Sequence, residues 1–137
     1  MTTRRKVLKA LGAGALAFPL FSLAQAQAKV PRIGFLYFGA RTDFVEVDFS
    51  GAFLKGLRDL GYVEGKNIVI EWRFAEGKYE RLAGLAAELA QLKVDMIVAA
   101  SSPGVQAAQR ATQTIPIVMV MVGNPVGAGF VASLPRP

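Results

Sequence analysis

The chain has 137 residues, a length that suits one domain, with 53% hydrophobic residues and a formal net charge of +6 from 16 basic and 10 acidic side chains. It contains no histidine and no cysteine. That excludes a Ser-His-Asp triad, a Cys-His pair, an imidazole metal site and any disulfide, and the scattered acidic residues lack the spacing of a calcium loop.

Residues 2–28, TTRRKVLKALGAGALAFPLFSLAQAQA, come first. A basic stretch (Arg4, Arg5, Lys6, Lys9) precedes an uncharged apolar run over residues 10–24 that is softened by Gly12, Gly14 and Pro19. The run is shorter than the roughly 20 residues a spanning helix needs. Small residues then alternate from Ala24 to Ala28 with the A-x-A spacing of a signal peptidase site, so cleavage is expected after Ala26 or Ala28. Thr3-Arg4-Arg5-Lys6-Val7-Leu8-Lys9 resembles the twin-arginine export consensus, with Val7 where that pattern usually has Phe; an ordinary general-secretory signal is the alternative. No lipobox cysteine follows. The expected destination is the periplasm, with no stable membrane insertion once the leader is removed. All four basic residues of the leader leave with it and no acidic ones do, so residues 29–137 carry 12 basic against 10 acidic side chains. The net of +2 calls for no nucleic-acid partner.

Residues 29–137 alternate in period. Residues 30–38 (VPRIGFLYF) read as a strand, rich in β-branched and aromatic side chains. Residues 50–60 read as a helix with Phe53, Leu57 and Leu60 on one face, Asp48 or Ser50 as cap, and Gly61 at the left-handed C-terminal position. Residues 67–74 (NIVIEWRF) form a second strand. Residues 78–92 form a helix with Leu82, Leu85, Leu89 and Leu92 as its core stripe. Residues 95–100 (DMIVAA) form a third strand. Residues 103–112 form a helix with Ser102 as N-cap and Pro103 in the first turn. Residues 115–122 (IPIVMVMV) form a fourth strand, its Pro116 tolerable near the start.

Strands alternating with helices specify βαβ units and a parallel sheet. The third and fourth strands are apolar on both faces, as central covered strands are. The expected fold is α/β, an open doubly wound parallel sheet of flavodoxin-like kind. Such sheets bind ligands at the carboxyl ends of their strands, where the strand order switches. The candidate loops are Phe38 and Gly39 with Ala40 to Thr42 after the first strand, Ser101-Ser102-Pro103-Gly104 after the third, and Gly123-Asn124-Pro125-Val126 after the fourth.

Ser101 and Ser102 precede a helix, whose free backbone N–H groups and dipole favour a carboxylate or phosphate. A plain N-cap is the competing reading. The same loop faintly resembles a nucleophile elbow, but Ala100 replaces the first glycine of G-x-S-x-G and no histidine exists. Asn124 can donate an amide hydrogen bond to a ligand or simply make an Asn-Pro turn. Arg41 and Asp43 fall in a loop of about a dozen residues, longer than the usual βα connection. Trp72 and Phe74, alternating with Arg73, suit a half-buried edge strand better than a stacking platform.

Residues 56–68 (GLRDLGYVEGKNI), Ala87-Glu88-Leu89 with Val94-Asp95-Met96-Ile97-Val98, residues 110–118 (RATQTIPIV) and Gly123-Asn124-Pro125-Val126-Gly127 occur in this order. Together they resemble the ABC transporter substrate-binding proteins of the tryptophan/tyrosine-uptake type. The resemblance runs from Pro31 to Pro137. It implies a periplasmic-binding-protein type I fold of two α/β lobes around a ligand cleft, a small-molecule ligand such as an aromatic amino acid, and delivery to a membrane permease without chemistry, cofactor or metal. It implies that Phe38, Gly39, Ser101, Ser102, Gly123 and Asn124 form the cleft wall, the two serines meeting a ligand carboxylate. Many relatives carry Asp where Asn124 stands, and the family continues past Leu-x-Arg-Pro into a second lobe. The expected organisation is a signal peptide over residues 1–28 and one amino-terminal lobe over 29–137, the second lobe being absent. The rival readings are an exported flavodoxin-like enzyme or nucleotide-binding module, and a truncated lobe without function. The first would need a G-x-G-x-x-G loop or a catalytic base, and residues 29–137 offer neither.

Overall fold

The computed structural model describes residues 29–46 and 48–132. The export-signal residues Arg4, Arg5, Ala26 and Ala28 lie outside the described residues. The elements, in chain order, are β1 (Arg32–Tyr37), α1 (Arg41–Glu46), α2 (Phe49–Asp59), β2 (Val69–Phe74), α3 (Tyr79–Gln91), β3 (Met96–Ala100), α4 (Ser102–Ala111) and β4 (Ile117–Val120). The four strands form one sheet in the order β2-β1-β3-β4. Every pairing is parallel, with Phe35 opposite both Trp72 and Val98, and Val98 opposite Val118. The doubly wound α/β expectation holds.

Helices cover both faces. On one, α3 and α4 bury Leu82, Ala86, Leu89, Val105 and Ala108 against Leu36, Ile97 and Ala99 of the sheet. Gly34 is what lets α3 come this close, because a Cβ there would lie 2.9 Å from the Leu89 methyls. On the other, α1 and α2 set Phe44, Phe49, Phe53 and Leu57 against Ile33, Phe35, Ile70 and Trp72. Phe35 is at the centre of that cluster, with ring centroids of Phe44, Phe53 and Trp72 within 5.2 Å.

Four sequence expectations change. The loop after β1 contains the six-residue helix α1. Leu60 and Leu92 end as C-caps outside the core stripes, 75% and 38% exposed. The N-cap of α4 is Ser101, which puts Ser102 at its first position. β4 is an edge of the sheet among the described residues, with Val118 43% exposed although its apolar sequence reads as buried on both faces; Ile117 and Met119 pack against the core under α3 and α4. Gly61 does terminate the turn after α2, at φ +90°. Trp72 and Phe74 are half-buried on edge strand β2, while Arg73 on the opposite face pairs with Glu88 of α3 at 2.7 Å.

Candidate functional site: a cleft at the strand-order switch

The chain leaves β1 toward β2 and then crosses over β1 to reach β3 and β4. The order therefore switches between β1 and β3, and their carboxyl ends must part there. A cleft of about 420 Å³ opens at that point. Its walls come from Tyr37, Phe38, Gly39 and Ala40 after β1, Asp43 of α1, Glu76 and Gly77 after β2, Ser101 after β3 and Met121 after β4.

The floor is tied by an extension of the sheet ladder into the loops. Ala75 N–H donates to Tyr37 O at 3.0 Å, Glu76 N–H to Gly39 O at 3.1 Å and Gly77 N–H to Phe38 O at 2.9 Å. Gly39 must be glycine-sized, since a Cβ there would meet the Tyr37 ring at 2.7 Å. Phe38 stacks on Tyr79 at the start of α3, with centroids 4.3 Å apart and planes 32° apart. One side of the cleft is thus aromatic.

Backbone strain gathers at the same place. Among the described residues, Asp48, Glu76, Lys93, Ser101 and Met121 are non-glycine residues with positive φ, and three of them line the cleft. Ser101 is the extreme case, at φ 71° and ψ 157°, a region otherwise reserved for glycine. Its N–H donates to Val120 O and its carbonyl accepts the Val105 N–H, both at 3.1 Å. These bonds from two directions hold the strained geometry. The Ser101 hydroxyl is buried with no hydrogen-bond partner and does not cap α4.

Of the six residues expected at the cleft, Phe38, Gly39 and Ser101 line it. Ser102 sits beside it, half-buried in the first turn of α4. Gly123 and Asn124 stand outside the lining. Asn124 Oδ1 accepts the Gly127 N–H at 2.8 Å, so the side chain closes its own turn. Sequence reasoning passed over Glu76, Gly77 and Met121. The Glu76-Gly77 pair was detectable as the loop after the second strand, since every strand of a parallel sheet delivers its carboxyl end to the same side. Asp43 was visible, but only as part of a loop. Among the described residues no cluster of three or more acidic side chains is placed to hold a metal ion, and no helix is long and apolar enough to cross a membrane. A second hollow of about 390 Å³ runs between α3 and α4, lined by Tyr79, Ala83, Ala87, Pro103, Ala107 and Arg110 among others, and shares no lining residue with the cleft.

A parallel sheet with a ligand-sized cleft at its switch point defines a class of binding domain, the periplasmic-binding-protein type I lobe. Residues 45–137 match the ABC transporter substrate binding protein family, and the chain belongs to that family. It is 42% identical over 85 residues to a tyrosine-binding protein of Clostridioides difficile (strain R20291), covering 62% of this chain and 25% of that one. The fold is similar to the ligand-free, open structure of a Clostridium difficile substrate binding protein with adhesive properties, at a TM-score of 0.70 and 34% identity over 79% of this chain and 36% of that one. It is also similar to a Streptococcus pneumoniae ABC domain in complex with L-Trp, at a TM-score of 0.69 and 26% identity, covering 80% and 36% respectively. The chain thus spans between a quarter and roughly a third of the length of these relatives.

Proposed function

We propose that this chain forms the amino-terminal lobe of an exported solute-binding protein. It captures a small amino-acid-like molecule in the switch-point cleft for delivery to an ABC permease. The observation that carries this reading is the coincidence, in one cavity, of the topological switch point, an aromatic wall and three strained residues. Strain at a site is retained where the surroundings enforce it and function uses it. The relatives that bind tyrosine and L-Trp support an aromatic amino acid as the ligand.

In the working protein, Phe38 and Gly39 form one wall and Ser101 with Ser102 presents the start of α4 to the ligand carboxylate. Gly123 and Asn124 shape the turn behind Met121. A second lobe, carried by sequence beyond residue 137, closes over the ligand. Closure works only if the ligand binds the closed form more tightly than the open one. The leader directs export by the twin-arginine route and is cut after Ala26 or Ala28, leaving the binding lobe in the periplasm. Membership of a family of substrate-binding proteins favours capture over an exported enzyme.

Thermal unfolding of the chain in the presence of each common L-amino acid tests the reading. A ligand that binds only the native state raises the midpoint in proportion to the logarithm of its concentration over Kd. Tyrosine or tryptophan is expected to raise it at millimolar concentration. No rise with any amino acid contradicts the proposal.

A further inference from the structure

A smaller hollow of about 210 Å³ lies on the face of the sheet opposite α3 and α4, between α1, α2 and edge strand β2. It shares no lining residue with the switch-point cleft. Its wall is aromatic. Phe44 of α1 meets Trp72 and Phe74 of β2 edge-on, with ring centroids 5.5 and 5.7 Å away. Trp72 and Phe74 are parallel, their planes 9° apart. No strand lies beyond β2 among the described residues, and both rings stay half-buried.

The charged groups of the hollow stand apart. Arg41 lines it and has no ion-pair partner among the described residues. Glu64 lines it too, and its Oε1 accepts the Trp72 Nε1–H at 3.1 Å. Arg41 follows β1, whereas Glu64 bridges to Ile68 ahead of β2. Since β1 and β2 are parallel, the guanidinium lies toward the carboxyl ends of the strands and the carboxylate toward their amino ends. Helix α2 runs back toward the start of β2, so its first turn lies at the Arg41 end, where Ser50 adds a hydroxyl to the lining.

An apolar cavity of roughly 150 Å³ holds benzene, so this hollow suits one ring with a short arm. We propose that it is a second small-molecule site, for a single-ring aromatic acid. The ring packs against Phe44, Trp72 and Phe74, and the carboxylate meets Arg41. Glu64 at the other end disfavours a diacid. No amine is needed, which separates this ligand from the solute proposed for the cleft. Because α1 supplies Arg41 and Phe44, the occupant ties α1 to β2.

Trp72 is the only tryptophan in the chain, so its emission reports on this hollow directly. The test titrates the full chain with 3-phenylpropionate and with 3-phenylpropionamide, its uncharged counterpart. A saturable change in Trp72 emission is expected at millimolar concentration. The acid should bind about fivefold more tightly than the amide, the margin an exposed ion pair supplies. Arg41→Gln is expected to bring the two compounds level, and Ser50→Leu, whose side chain fills the hollow, to abolish the response. No saturable change, equal affinity for the two compounds in the wild-type chain, or a response that persists in Ser50→Leu overturns the inference. The wild-type comparison decides the matter even if a variant disturbs α1 or α2. All of these outcomes leave the solute-binding reading intact, because the cleft has its own lining.

Discussion

Ser101 occupies a backbone conformation that suits only glycine, and it buries a hydroxyl that bonds to nothing. Each feature costs stability, the strain on the order of 1–3 kcal/mol and the orphan hydroxyl a similar amount. Glycine at this position relieves both and forfeits about 0.5–1 kcal/mol in chain entropy. Ser101→Gly is therefore expected to stabilise the chain by about 1–5 kcal/mol, read as a higher urea midpoint with an unchanged slope. A lower midpoint would mean that the serine is a structural cap after all. The sequence showed that Ser101 and Ser102 precede a helix. It could not show which of the two takes the cap position, because either hydroxyl can do so; the register was set by β4, whose Val120 carbonyl holds the Ser101 N–H. Asn124 illustrates the opposite case. Its Asn-Pro pairing already indicated a turn, and the bond to Gly127 makes that turn.

At the scale of elements, α1 was the one helix that periodicity did not reveal. It has six residues and buries a single side chain, Phe44, too little to display a 3.6-residue repeat. Its existence depends on that ring, which lies within 5.7 Å of the ring centroids of Phe35, Tyr37, Phe49, Trp72 and Phe74. Phe44→Ala should cost about 3–5 kcal/mol. More specifically, amide exchange over residues 40–46 should become fast while the amides of β1 and β3 stay protected, because a helix this short has no stability apart from its packing. Protection that falls evenly across the whole sheet would contradict the view of α1 as a separately docked element. The longer elements were legible for the reason α1 was not. Leu82, Leu85 and Leu89 recur along α3, and Pro103 and Gly61 mark where helices begin and end. The ends were misjudged where an apolar residue, Leu60 or Leu92, continued a stripe one position past the last helical turn.

For the whole molecule, alternation of strands and helices was enough to specify a doubly wound sheet, and that topology in turn specified where a cleft must open. The walls of the cleft were less legible. Phe38, Gly39 and Ser101 follow strands directly and could be named from the chain. Glu76 and Met121 reach the cleft through left-handed backbone at φ 55° and 58°, which no side-chain pattern announces. We propose that the cavity at the carboxyl ends of β1 and β3 holds the solute, and that the hollow between α3 and α4 does not. The most direct measurement is a map of amide chemical-shift changes in the isotope-labelled chain on addition of L-tryptophan. Changes are expected to concentrate at residues 37–40, 76–77 and 101–105. Changes concentrated at Ala83, Ala87, Ala107 and Arg110, or no changes at all, would contradict the proposal.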